Sequence, residues 1–325
     1  MDELILQSVE EKLRMNHFAD RLTDAVRTYK NPTVMGLDPI VTYIPDSLKE
    51  NAAYLTDDPE QATGLAIIQF NERLIDATAD IIPVVKLQSA CYEQYGLSGL
   101  SAMRLTIDYA HEKGQLVILD GKRNDIGSTA QAYANAYLDQ SRLIDGTVMS
   151  AFNADALTVN GYLGLDGIQP FIDSCEKQGK GIFILVRTSN PSAGDLQDLI
   201  LEDGRTVAEA MADRVHFWGQ NLIGQSGYSS VGAVVGATWP SEAESLRIRM
   251  PNALFLIPGY GAQGGSAKDA VSGFGRDGLG GLVNASRSLM TAWKKHNMEP
   301  DLFDQAARIE ALAMRDALQQ ALRQR

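Results

Sequence analysis

The chain is poor in cysteine. Cys91 and Cys175 are the only two in 325 residues, and they lack the C-x-x-C spacing of a redox pair or zinc cluster. No disulfide framework is expected, and the two thiols read as buried and unpaired. Histidine is nearly as scarce. His17, His111, His216 and His296 show no H-E-x-x-H spacing and none falls at the end of an expected strand, so they read as surface or helix residues without chemistry. Basic charge is in deficit, with 29 Lys and Arg against 41 Asp and Glu and a net charge of −12. That balance excludes a nucleic-acid stripe, and an anionic ligand would need a local pocket of positive charge. No apolar run approaches the roughly 18 residues of a membrane span. The opening residues, MDELILQSVEEK, carry acids where a secretory leader carries basic groups, so a cytoplasmic protein away from membranes is expected.

What is present is globular in kind: 45% hydrophobic and 22% charged residues. Apolar positions Ile5, Val9, Leu13, Phe18, Leu22 and Val26 recur at mostly helical spacing and predict one helix or two ahead of the first strand. Eight strand-type runs follow, at 33–38, 84–88, 116–120, 156–160, 181–186, 230–238, 253–259 and 281–286. Helices are expected between most of them, at 60–81, 98–112, 128–138, 165–178, 206–223 and 241–250, with a last one within 300–323. Near-continuous apolar strands alternating with helices imply parallel strands buried on both faces. Eight such units suggest an α/β fold, a (β/α)8 TIM barrel, with a doubly wound open sheet as the alternative. No linker, composition shift or repeat divides the chain, so a single domain over residues 1–325 is expected, with an N-terminal helical extension and loop insertions.

Barrel active sites lie at the carboxyl ends of the strands. Polar residues gather there: Asp38, Lys86, Asp120 with Lys122, Thr158 and Arg187. In the stretch LVILDGKRNDIGST (116–129), strand alternation puts Asp120 and Lys122 on one face, with Asp125 just beyond. Neighbouring carboxylates favour the charged form of a lysine, which makes Lys122 a standing cation and a candidate proton donor. Lys86 lies in an apolar run and needs a partner. The loop PGYGAQGGSAKD (258–269) supplies glycines that let backbone amides approach an anion, then begins a helix whose amino end favours negative charge. Arg287, after the eighth strand, would add a charge-assisted contact, so these two loops read as a phosphate site. The segment RTSNPSAGDLQ (187–197) is too polar for core and reads as a lid or a dimer edge, while Val215, Phe217 and Trp218 read as core or interface.

Seven motifs resemble the orotidine 5′-phosphate decarboxylases, specifically their longer prokaryotic branch (type 2). They are GLDP (36–39), the strand lysine Lys86, LDGKRNDIGSTA (119–130), LTVNGYLG (157–164), LVRTSNPSAGDLQ (185–197), IPGYGAQGG (257–265) and VNASRS (283–288), spread along most of the chain. Gly121 and Asn124 depart from the alanine and glycine more common in that branch, which bears on loop conformation and leaves the charged positions intact. The resemblance implies a carboxy-lyase that converts orotidine 5′-monophosphate to uridine 5′-monophosphate and carbon dioxide, the last step of de novo UMP synthesis. It implies no cofactor, no metal, and a homodimer with shared active sites. Carried over residue by residue, Lys122 is the proton donor to C6 and Asp120 faces the substrate carboxylate. Asp125, with Ile126 and Thr129, would complete the site of the neighbouring subunit. Lys86 would bond Asp120 and the ribose, Asp38 a ribose hydroxyl, and Thr158 the pyrimidine. Gln263 would bridge base and phosphate and Arg287 would hold the phosphate, with Pro258, Gly264 and Ser286 completing the substrate-binding set.

Three other readings compete. Metal-dependent decarboxylases and synthases acting on sugar phosphates share the acid-lysine-acid motif, but carry a glutamate where this chain has Lys86. A Schiff-base aldolase would need a depressed lysine pKa, which flanking carboxylates oppose. A catalytically silent phosphate-binding dimer would have lost at least one charged residue of the set, and none is lost.

Overall fold

The computed structural model describes residues 17–261 and 265–325. Ile5, Val9 and Leu13 of the expected amino-terminal helix lie outside the described residues, as do Gln263 and Gly264. Eight parallel strands form a closed barrel, which is the (β/α)8 architecture. They are β1 (Thr33–Leu37), β2 (Val84–Gln88), β3 (Leu116–Arg123), β4 (Ala156–Val159), β5 (Gly181–Arg187), β6 (Ser229–Val235), β7 (Ala253–Ile257) and β8 (Gly281–Ala285). Every residue of β1, β4, β6 and β7 is buried, as parallel strands covered on both faces require. No helix among the described residues is long and apolar enough to cross a membrane.

The described chain divides into two interlaced compact units. The first takes residues up to Thr28 and Lys122–Val283. In it, helix Phe18–Tyr29 buries Phe18, Leu22 and Val26, and the Phe18 ring meets Phe183 of β5 edge-on at 6.1 Å. Asp20 fixes this helix by accepting the amides of Gln225 (3.0 Å) and Ser226 (2.7 Å), and Arg21 pairs with Asp155 at 2.8 Å. Helix Val207–Gly219 opens on a capping box between Thr206 and Glu209.

The second unit takes Tyr29–Gly121 and Asn284–Arg325. Its β1 and β2 pair with Gly36 opposite Lys86, and β2 and β3 pair with Gln88 opposite Asp120. Helix Pro59–Thr78 starts on Asp58, whose carboxylate accepts the amides of Glu60 and Gln61, with Pro59 in the first turn. It packs on the last helix, Phe303–Arg323, through Phe70 stacked on Phe303 at 4.6 Å and Arg73 paired with Asp304 at 2.9 Å.

Three features differ from the sequence expectation. The turn-rich stretch after Asp38 holds a helix, Asp46–Leu55. Two short strands, Ser141–Arg142 and Val148–Met149, pair antiparallel beyond the helix that follows β3. And β3 runs on past Asp120 to Arg123.

Candidate active site

In the second unit, Lys86 sits mid-strand on β2 and is 4% exposed. Its ammonium donates to Asp120 Oδ2 at 3.1 Å and to Asp38 Oδ1 at 3.5 Å. Strand pairing makes this possible, because β1 and β3 flank β2, with Asp38 directly after β1 and Asp120 within β3. Gln88 joins the cluster, its amide N–H reaching Asp38 Oδ1 at 3.2 Å and its side chain reaching Asp120 Oδ2 at 3.3 Å. Burial by itself would lower the Lys86 pKa, but Asp120 and then Asp38 outweigh it, so the ammonium is held well above its ordinary value. The snorkelling lysine that an isolated apolar run would suggest is therefore absent; Lys86 is a buried cation between two carboxylates. Beneath them, Tyr92 donates to the carbonyl of Leu37 at 2.9 Å and fixes the end of β1 next to Asp38.

The same unit carries the start of the eighth loop. A β-carbon on Gly36 would fall 1.8 Å from Ser286 Oγ, so glycine in β1 is what admits Ser286. Ser286 leads directly into the short helix Arg287–Met290, and the Arg287 side chain is exposed.

In the first unit, Lys122 adopts a left-handed backbone, φ 47°, which is uncommon for a residue with a β-carbon. Strand alternation therefore stops at Gly121 and does not set the direction of the Lys122 side chain. The Lys122 amide donates to Thr158 Oγ1 at 3.0 Å, and Thr158, on β4, is 1% exposed. Strained backbone of this kind concentrates at functional sites because surrounding bonds over-determine it. Next along, the Arg123 carbonyl accepts from Asn160 at 3.0 Å. Asp125 Oδ1 accepts the amide of Ile126 at 2.8 Å, and Gly167 is so close that a β-carbon there would lie 2.9 Å from the Asp125 carbonyl. Ile126 and Thr129 are both exposed around the start of helix Gly127–Tyr137.

The seventh loop leaves β7 at Pro258, whose carbonyl accepts the Ala237 amide at 2.9 Å. Gly259 (φ 99°) and Gly261 (φ 67°) take left-handed conformations, and the Gly265 amide returns to the Gly259 carbonyl at 3.2 Å. The helix beyond, Ala267–Val271, is only five residues long. Its amino end is already occupied: Ser266 and Asp269 cap it reciprocally, so Asp269 supplies the negative charge expected there from a ligand.

Asp38, Lys86 and Asp120 are thus brought together by direct bonds, Lys122 is joined to Thr158, and Asp125, Ile126 and Thr129 share one surface stretch. Gln88 and Gly36 were not singled out from sequence, although Gly36 lies inside the GLDP motif. Arg187 differs most: it opens a segment too polar for core, yet it is 1% exposed.

The model of the orotidine 5′-phosphate decarboxylase / HUMPS family matches residues 64–296. A relative from Clostridium acetobutylicum named orotidine 5′-phosphate decarboxylase is 42% identical over 303 residues, 93% of this chain and 99% of the relative. The structure of Leishmania donovani OMP decarboxylase superposes with a TM-score of 0.67 at 30% identity, covering 93% of this chain and 99% of that one. The structure of Leishmania donovani UMP synthase matches with a TM-score of 0.69 at 32% identity, and there the chain spans 57% of the other protein.

Proposed function

Because the chain belongs to the orotidine 5′-phosphate decarboxylase / HUMPS family, we propose a division of labour among its residues for the decarboxylase reaction. The enzyme decarboxylates orotidine 5′-monophosphate to uridine 5′-monophosphate in pyrimidine synthesis. The observation that favours this branch over metal-dependent sugar-phosphate chemistry is the Lys86 ammonium, seated 3.1 Å from Asp120 and 3.5 Å from Asp38. A fixed protein cation takes the place beside Asp120 where a metal-binding branch needs an acid.

Loss of carbon dioxide breaks a carbon–carbon bond and leaves its electron pair on ring carbon C6. The Lys122 ammonium is the group that stabilises this pair and then transfers a proton to it, forming the new C–H bond and leaving a neutral amine that solvent reprotonates. Two unit charges about 4 Å apart at an effective dielectric of about 20 interact by roughly 4 kcal/mol, or about three decades of rate. The remainder comes from parts of the substrate that do not react. Backbone amides of the glycine-rich loop from Pro258, the Gln263 side chain and Arg287 grip the phosphate, with Gly264 and Ser286 lining it. Lys86 and Asp38 hold the ribose, and Thr158 meets the pyrimidine. Lys86 holds Asp120 in place against the substrate carboxylate. The working form is a cytoplasmic homodimer in which Asp125, Ile126 and Thr129 complete the neighbouring subunit's site.

The test follows the orotate ultraviolet absorption as protein is mixed with orotidine 5′-monophosphate, with and without a strong chelator. Chelator-resistant formation of uridine 5′-monophosphate supports the reading. Chelator-sensitive turnover would return weight to the metal-dependent branch, and folded protein without turnover to a binding-only role.

A further inference from the structure

We propose that Arg187 is a positioning residue for substrate phosphate, acting through the base of the glycine-rich loop. The proposal rests on the phosphate reading of that loop given above. Arg187 is the last residue of β5, and its guanidinium is buried without being idle. Nη1 lies 2.7 Å from Asp198 Oδ1, Nε lies 2.7 Å from Glu242 Oε2, and Nη2 donates to Glu242 Oε1 at 3.1 Å. Its Cζ lies 4.4 Å from the centre of the Trp239 ring. One side chain therefore ties three segments: the end of β5, the loop that carries Asp198, and the stretch from Trp239 into helix Pro240–Arg249.

The residues just before Trp239 touch the glycine-rich loop. The Arg187 carbonyl accepts the Gly236 amide at 2.8 Å, and the next residue, Ala237, donates to the Pro258 carbonyl at 2.9 Å. Ala237 also closes on the far end of the loop, since a β-carbon on Gly265 would lie 3.0 Å from the Ala237 methyl and 2.9 Å from the Gly259 carbonyl. Residues 236–239 thus form a brace against both ends of the loop. Trp239 fixes the brace from the other side by donating its indole N–H to the Thr188 carbonyl at 3.2 Å. Thr188 is itself held by Gln197, which accepts its amide at 3.0 Å and donates to its hydroxyl at 2.8 Å.

A guanidinium is suited to this task in a way that lysine is not, because one broad planar cation can lie against two acids and an indole at once. Removing it leaves Asp198 and Glu242 facing one another and frees Trp239, so the brace loses its fixed position. Both acids are partly exposed, at 55% and 41%, so water can take over their solvation and the fold survives. The defect then falls on phosphate recognition and not on the pyrimidine and ribose contacts.

The experiment compares binding of uridine 5′-monophosphate with binding of uridine, by titration calorimetry, for the wild type, Arg187→Met, Arg187→Lys and Trp239→Phe. Arg187→Met is expected to weaken the nucleotide about ten- to a hundredfold and leave uridine unchanged, the scale of a loop displaced by about 1 Å. Arg187→Lys and Trp239→Phe should lie between it and the wild type, in that same ligand-selective sense. A purely structural role would reduce the folded fraction and leave both affinities of the folded protein as they were, which would overturn the proposal, as would an equal loss for both ligands. If Arg187→Met does not fold, the lysine and phenylalanine variants decide by the same ratio. A wild type that binds nucleotide no better than nucleoside would overturn the phosphate reading of the loop itself, and the proposal with it.

Discussion

The hydroxyl of Thr158 accepts the backbone N–H of Lys122 at 3.0 Å, so β4 holds the left-handed turn from which the proposed proton donor projects. In this bond the hydroxyl acts as the acceptor. Thr158→Val keeps the shape and removes this acceptor from the Lys122 amide, a loss worth about 1–3 kcal/mol. The turnover number should fall by about tenfold or more with KM changed less, while Thr158→Ser stays near wild type. Steady-state kinetics on the three proteins checks this, and an unimpaired valine variant would remove Thr158 from the mechanism.

Lys122→Ala should abolish turnover with a modest loss of nucleotide binding, whereas Arg287→Ala should weaken affinity and rate together. The distinction rests on where each cation acts, at the reacting carbon or on the phosphate. Single-turnover rates alongside binding constants separate the two; a fully active Lys122→Ala would sink the proton-donor role.

If Asp125 serves the neighbouring subunit, mixing inactive Asp120→Asn and Asp125→Asn proteins should restore part of the activity. Hybrid dimers would contain one site with both native acids. Lack of recovery after subunit exchange has been verified would count against a shared site.

Gly36→Ala should be strongly disruptive for a single added methyl group. The β-carbon would fall 1.8 Å from Ser286 Oγ, and both residues belong to the same compact unit. Overpacking of this kind typically costs about 1–3 kcal/mol, and displacement of Ser286 carries Arg287 with it. The thermal midpoint should drop and the KM for orotidine 5′-monophosphate should rise. Gly36→Ala with Ser286→Ala should recover part of both losses, because the second change removes the atom that is struck.

Asp20 makes acid stability predictable in sign. Burial raises its pKa, but bonds from Ser226 and the Gln225 amide outweigh burial and leave it below the ordinary carboxylate value. A group depressed in the folded state contributes stability that is present above its unfolded pKa, about 3.9, and is lost as pH falls through the lower folded value. Asp20→Asn should therefore cost about 1–3 kcal/mol near neutral pH, the worth of hydrogen bonds to a charged acceptor. The gap between the two proteins should close as urea titrations are repeated at successively lower pH. A constant gap would mean that the carboxylate charge plays no part.

The strand ends were legible because parallel strands announce themselves as apolar runs, and a charge at the end of such a run has few structural uses. Asp38 and Asp120 followed from that rule, Lys86 from its need for a partner inside an apolar run, and strand pairing then joined them. Lys122 was legible as chemistry and not as geometry: period-two reasoning presumes extended backbone, and nothing local signals a positive φ at a lysine. Arg187 was misjudged because its partners, Asp198 and Glu242, come from other elements and share no sequence spacing with it. Helix Asp46–Leu55 was hidden by Pro39, Pro45 and Pro59, which punctuate the stretch as turns would. Asp269 shows a further limit, since a cap residue and a ligand compete for the same amides and the sequence does not rank them.

The interlacing of the two compact units bears on how the chain is made. A ribosome delivers residues 29–121 early, yet the rest of their unit, 284–325, emerges last. The last helix, Phe303–Arg323, is the final element to leave the exit tunnel. The early segment must therefore wait as an open assembly, with Phe70 uncovered until Phe303 arrives. Chaperone capture during synthesis should concentrate on 29–121, and messages that stall before codon 284 should yield a product marked for degradation.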